Sequence, residues 1–250
     1  MYMNRMAGEI PIFSALFNNH QYIIMRQWTG RVVLIAGLLA GAIASAQAQL
    51  AIGPQFGLGV ASAQTNDLNL PEGPGLIFSW QAGVMLQKTL NERWAVQPEL
   101  SFIRKGYEAV SQEPGFGRFI FDGDIVTDYL ECSVLGKFFL SSKQDTDWYL
   151  IGGPYFGYIT RGVFTGEEGL PGLTRPFEEE LVFGEEGINR FDLGAHIGFG
   201  GQFDLGKPWF FAELRYSQGL LNINGGDQGS VRNYGLNGVF GWFIYLNGDR

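Results

Sequence analysis

Residues 94–106 read WAVQPELSFIRKG. Val96, Pro98, Leu100 and Phe102 alternate with Gln97, Glu99 and Ser101. Successive side chains of a strand point to opposite faces, so this stretch is one strand with an apolar side and a polar side. The pattern recurs, and the alternation predicts eight strands: 50–62, 76–87, 94–106, 125–139, 148–159, 189–203, 209–218 and 233–246. In the fourth, Leu130, Cys132, Val134 and Phe138 oppose Glu131, Ser133 and Lys137. In the sixth, Leu193, Ala195, Ile197 and Phe199 oppose Asp192, Gly194, His196 and Gly198. In the seventh, Ala212, Leu214 and Tyr216 oppose Glu213, Arg215 and Ser217. The facing of the fifth, rich in Gly and Tyr, stays ambiguous.

The connections sort by length. KTLNER (88–93), SSKQDTD (141–147) and DLGKP (204–208) are short, whereas about 63–75, 105–124, 160–188 and 219–232 are long. Short and long alternate strictly, as periplasmic turns and extracellular loops do in outer-membrane barrels. The expected fold is all-β: an eight-stranded antiparallel up-and-down transmembrane barrel, apolar outside and polar inside. Strands of this length suffice, since a tilted strand crosses a bilayer in about 9–11 residues. Closure pairs every strand edge, as lipid requires. Trp94, Trp148 and Trp209 each open the strand after a short turn, which predicts an interface girdle at one height. Against this stand Pro54, Pro98 and Pro154, which fall inside predicted strands and remove ladder donors.

The composition agrees. Gly numbers 37 and aromatics make up 15% of the 250 residues, with a mean hydropathy of +0.01. That is too polar for a helical membrane protein and too rich in aromatics for a disordered one. The one long apolar run, 32–46, is shorter than the ~20 residues of a spanning helix. Arg26 and Arg31 precede it and Ala46-Gln47-Ala48 follows, the pattern of a secretory signal peptide. Residues 1–48 are therefore expected to be a cleaved leader, with Met25 a candidate initiator, and 49–250 the barrel domain. The net charge is −8; losing the leader removes three arginines and one glutamate and leaves −10. That balance argues against nucleic acid as a partner.

The strand cores VQPELSFIRKG (96–106), YLECSVLGKFF (129–139), YLIGGPYFGYI (149–159), FDLGAHIGFGGQF (191–203) and AELRYSQGLLNI (212–223) resemble the PorT-like outer-membrane β-barrel family of Bacteroidota-type bacteria. The resemblance spans essentially 50–246 and implies an eight-stranded barrel with no shared enzymatic activity. One branch of that family is linked to protein secretion. Departures are Ser133, where the family usually has Pro, and the end of the chain, where Leu246 is followed by Asn-Gly-Asp-Arg rather than closing on an aromatic.

The polar faces carry Glu99, Glu131, Lys137, Asp192, His196, Glu213 and Arg215. Eight strands leave an interior just wide enough for side chains to fill. These residues are therefore expected to form an ion-paired plug, with Lys137 and Arg215 among the carboxylates, since unpaired charges out of water cost several kcal/mol each. His196 is the only histidine after residue 48, and Asp192, four positions away on one strand, is about 13 Å distant, too far for a catalytic pair. No nucleophile and base fall together on one rim. With one His and the single Cys132 on an apolar face, expected to pack as a small hydrophobe, no metal site or cofactor is expected.

The segment 160–188 holds Glu167, Glu168, Glu178, Glu179, Glu180, Glu185 and Glu186, which read as a solvated acidic loop. Phe164, Leu170, Leu173, Phe177 and Phe183 within it suggest a continued hairpin or a docking patch. Gly115, Phe116, Phe119 and Phe121 suggest the same for 105–124. The expected role is non-enzymatic: a monomeric barrel in contact with outer-membrane lipid, structural or binding a protein or ligand through 105–124 and 160–188. The alternatives are a lipid-modifying barrel enzyme, a secretion-system component, and a soluble lipocalin-like barrel, whose faces would be reversed.

Overall fold

The computed structural model describes residues 49–66, 73–112, 120–143, 146–170, 173–184, 187–225 and 229–246. The expected leader 1–48, together with Gly115, Phe116, Phe119, Glu185 and Glu186, lies outside them. The described residues form nine strands: β1 Leu50–Thr65, β2 Ile77–Thr89, β3 Trp94–Gln112, β4 Ile120–Lys143, β5 Thr146–Leu170, β6 Leu173–Glu180, β7 Phe191–Phe203, β8 Trp209–Gly219 and β9 Val231–Tyr245. All neighbours are antiparallel. Pairing runs from β1 through β2, β3, β4 and β5 to β7, β8 and β9, and β9 pairs back onto β1. The hydrogen bonding thus follows a ring, and β6 hangs from β5 outside it.

The strand count differs from the eight read in the sequence, and the difference lies in the long connections. The ladder of β3 and β4 runs on to Gln112↔Ile120, so most of 105–124 is strand. β5 runs on to Leu170 and folds back as β6, which pairs Val163↔Glu180 to Leu170↔Leu173. β6 reads LTRPFEEE, with a proline and three successive glutamates. Pro176 and the glutamates disfavour a strand; the extended edge of β5 supplies one, as the hairpin expected from Leu173 and Phe177. Phe164 and Phe177 meet across this hairpin, ring centroids 4.9 Å apart.

Side-chain facing follows the alternation. Leu100, Leu130 and Leu214 are 48%, 45% and 56% exposed, whereas their neighbours Glu99, Glu131, Glu213 and Arg215 are buried. The ambiguous β5 resolves with Tyr149, Ile151, Tyr155 and Ile159 inside and Leu150, Phe156 and Tyr158 outside. The interior is layered. Towards the short-turn end, Trp209, Phe211, Phe243, Met85 and Ala51 cluster, beside Phe139, Tyr149 and Leu135. Towards the long-connection end, Ile103, Tyr129 and Ile159 cluster under Phe183 and Ile188. Charged groups fill the space between.

Interior glycines make room for the large rings. A Cβ on Gly194 would fall 2.5 Å from ring carbons of Tyr155, and one on Gly200 would fall 2.5 Å from Glu213 Cγ and 3.1 Å from the Tyr149 ring. Small residues facing large ones are how a narrow ring is filled.

The three prolines share one solution. The β1–β9 ladder skips Gly53 and Pro54, the β2–β3 ladder skips Gln97 and Pro98, and the β4–β5 ladder skips Gly153 and Pro154. Register is kept on both sides of each gap. Each proline keeps its place opposite the other neighbouring strand: Val84, Val134 and Ala195 respectively. The missing donor falls where one ladder is locally open.

Two expected placements change. Trp94 and Trp148 are exposed on the outer face, Trp94 against Phe138 at 4.9 Å and Trp148 stacked on Phe199 at 5.4 Å. Trp209 is only 8% exposed and faces inward, packed on Phe243 and Tyr245. Its parity is that of Glu213 and Arg215, so alternation from those residues places it inside, and Phe210 takes the outer position. Cys132 is exposed rather than packed in a core, because its apolar face is the outer one.

Candidate functional site

All seven charged residues singled out in the sequence are buried in the ring interior: Glu99, Glu131, Lys137, Asp192, His196, Glu213 and Arg215. Alternation on β3, β4, β7 and β8 aims them at a common axis. They fall into two groups.

In the first, Arg215 donates from Nη1 and Nη2 to the two oxygens of Glu99, each 2.8 Å away, and from Nε to Glu213 at 2.5 Å. This is the fork geometry that suits a guanidinium to carboxylates. Lys137 Nζ stands 3.3 Å from Glu213 and 4.2 Å from the Tyr149 ring, and donates to Gln87 at 3.0 Å. Tyr149 donates to Glu213 at 2.6 Å. Gln55, Gln97 and Ser133 donate further hydrogen bonds to Glu99.

The second group centres on Lys105, which the polar-face reading of β3 left out. Its Nζ lies 2.6 Å from Glu131 and 3.5 Å from Asp192, over the ring of Tyr155 at 3.9 Å. Tyr155 and Asn233 donate to Asp192, and Asn233 also to Tyr129. Lys105 has the parity of Glu99 and Ser101, so carrying the alternation two positions further would have found it.

His196 does not pair with Asp192. Its Nε2 is 3.0 Å from Glu131 and its Nδ1 is 2.9 Å from Ser217 Oγ. An ionised carboxylate only accepts, so Nε2 carries a proton. The structure therefore brings together a hydroxyl, an imidazole and a carboxylate, although the sequence reading found no such set. The set is deep inside, not at a rim. Ser217, His196 and Glu131 are all buried, and the void beside Ser217 and Lys105 measures about 10 Å³. That is room for about one water molecule and not for a substrate.

Among the interior charges, Glu99, Glu131, Asp192 and Glu213 stand within ion-pair distance of Lys105, Lys137 or Arg215, and buried Asp147 accepts from Gln202. Buried carboxylates and cations persist only when paired and hydrogen-bonded. The arrangement is a cross-linked set of buried charges. Among the described residues, no group of three or more His, Cys, Asp or Glu is placed to hold a metal ion.

The other candidate surface is the four-stranded flange made by the far halves of β3, β4 and β5 with β6. Glu178, Glu179 and Glu180 are exposed on it. Arg161 faces Glu178 at 3.5 Å, and Thr174 donates to Glu167 at 2.9 Å.

The outer membrane protein beta-barrel domain family matches residues 43–225. No curated protein matches the chain. Among solved structures, the outer membrane protein OprG from Pseudomonas aeruginosa is similar at 12% identity, over 80% of this chain and 97% of that one, with a TM-score of 0.42. The attachment invasion locus protein Ail of Yersinia pestis is similar at 15% identity, over 78% and 98%, with a TM-score of 0.35. The outer membrane protease OmpT from Escherichia coli is similar at 8% identity, over 81% and 99%, with a TM-score of 0.46. Likeness at this level transfers no activity.

Proposed function

The chain belongs to the outer membrane protein beta-barrel domain family, and from that premise we propose that residues 49–250 form a monomeric, non-enzymatic, eight-stranded transmembrane barrel with a plugged interior. In this reading β1–β5 and β7–β9 close the barrel, and β6 belongs to a flange on the extracellular side that binds a protein or ligand. Residues 1–48 serve as the cleaved export leader. The strand cores at 96–106 and 129–139 support a PorT-like branch within the family.

The carrying observation is the inverted distribution of polarity. Leu, Val, Phe and Trp cover the outside while Glu, Lys, Arg and Gln fill the inside. In water this would expose a continuous apolar band far larger than soluble proteins tolerate; in lipid it is what a barrel needs. The band has a fitting height. Ten residues separate outward Trp94 from Arg104, and ten separate Trp148 from Tyr158. At ~3.3 Å per residue and ~45° tilt this spans roughly 23 Å, close to the ~25 Å apolar band of such barrels.

The flange supports the binding role because it is dispensable to the ring. β5 meets β7 over Thr146–Tyr158, below the residues that pair with β6. The test is affinity capture with the intact protein beside a variant in which 163–180 is replaced by a short turn. Both are expected to remain detergent-extracted membrane proteins with heat-dependent gel mobility, and only the intact one to retain its partner. Extraction of the intact protein by salt alone would end the membrane reading. Identical partners for both would end the flange reading.

A further inference from the structure

At the base of the long-connection end, a cleft of about 440 Å³ opens between Phe183, Gly184, Asn189, Arg190, Phe191 and Gly225. Arg190 is fixed there by a backbone carbonyl and a ring. Its Nη1 donates to the Ile159 carbonyl at 3.0 Å, and its guanidinium lies 3.9 Å from the Phe183 ring centroid and 5.9 Å from that of Tyr158. Among the described residues no carboxylate stands within ion-pair distance of it. Asn189 spends its side-chain oxygen on the Phe191 backbone N–H, which leaves its amide NH₂ as a donor. Phe191 faces outward, 5.6 Å from Phe156 and 5.5 Å from Tyr158. These three rings top the apolar band at its extracellular edge.

We propose that this cleft binds the phosphate group of an outer-leaflet lipid, with Arg190 and Asn189 on the head and Phe191 and Phe156 on the chains. The inference rests on the membrane reading above and names a ligand for a different surface from the flange. A planar guanidinium offers two parallel N–H groups to a phosphate, and a ring behind it holds that plane in place. The amphiphile matches the site's order: cation at the water boundary, aromatic steps below it, hydrocarbon-facing leucines beyond. A free phosphate would use only the upper half of this surface.

The test uses the full chain in phosphatidylcholine vesicles doped with phosphatidic acid or with diacylglycerol of the same acyl chains. The protein is extracted in mild detergent and retained lipid is measured by mass spectrometry. Phosphatidic acid should be retained about tenfold over diacylglycerol, the worth of one charge-assisted fork. The preference should fall to near unity in Arg190→Gln and to an intermediate value in Arg190→Lys, which keeps the charge without the fork. Millimolar inorganic phosphate should not displace the lipid. Equal preference in the wild type and Arg190→Gln overturns the proposal, as does displacement by inorganic phosphate, which would mark a free-anion site. Should Arg190→Gln lose its heat-dependent gel shift, Arg190→Lys decides: an unchanged preference overturns capture by the fork. A wild-type chain that shows no gel shift sinks the membrane reading and this proposal together; one that folds but retains both lipids equally sinks this proposal alone.

Discussion

Arg215 reaches across the ring interior to Glu99, a residue 116 positions earlier, and holds both its carboxylate oxygens at 2.8 Å. With its third contact to Glu213, one guanidinium ties β8 to β3 through the middle of the molecule. Arg215→Met would strand Glu99 away from water and leave Glu213 with Lys137 as its cation. The expected loss is about 3–5 kcal/mol, the usual cost of breaking a buried ion pair from one side. The double variant Arg215→Met/Glu99→Gln should recover part of it, since the stranded charge is gone. Urea unfolding in phospholipid vesicles measures both; a single-variant loss below about 1 kcal/mol would mean that the pair is solvated.

Cys132 tests the same inside-out arrangement from the other face. It sits between Leu130 and Val134 on the outer face and is paired across strands with Leu100 and Phe156, within the apolar band. Because it is the one cysteine in the chain, no engineering is needed. A charged maleimide should label it in vesicles to less than about a tenth of the extent reached after unfolding, since charge enters hydrocarbon poorly. A membrane-soluble maleimide should label the folded protein. Ready reaction with the charged reagent in intact vesicles would place that face in water.

The hydroxyl–imidazole–carboxylate set of Ser217, His196 and Glu131 has the members of a hydrolytic triad and the access of a buried core. A fluorophosphonate should therefore leave the folded protein unlabelled. Ser217→Ala should cost only about 1 kcal/mol, one neutral hydrogen bond. Labelling that disappears in both Ser217→Ala and His196→Ala would make this an enzyme and displace the non-enzymatic reading.

Facing was legible in the sequence because a strand's period is two. Leu100 outward and Glu99 inward follow from WAVQPELSFIRKG alone, and so would inward Lys105 and Trp209 had parity been carried to the strand ends. Trp209 leaves the expected girdle because phase along the strand, and not its place after a short turn, sets its facing. What no single strand reveals is partnership across the ring. Arg215 with Glu99 and His196 with Glu131 depend on the stagger of strands far apart in sequence, which local patterns do not encode. The continued hairpin suggested by Phe164, Leu170, Leu173 and Phe177 is β5 with β6, while its bounds depend on the edge that β5 offers to LTRPFEEE.

The interior that hides these partnerships also sets whether ions pass. Tyr149 and Tyr155 are buried across from Gly200 and Gly194, and Lys137 and Lys105 lie against their rings. Side chains fill the cross-section at these levels, so the purified protein in planar bilayers should show no steady conductance. Removing both rings in Tyr149→Ala/Tyr155→Ala would open space at two heights beside charged groups, which should admit water and give measurable openings. A wild type that conducts steadily and ohmically, at a level the double variant does not change, would mean the path avoids these residues. The cross-linked core would then be a lining rather than a plug.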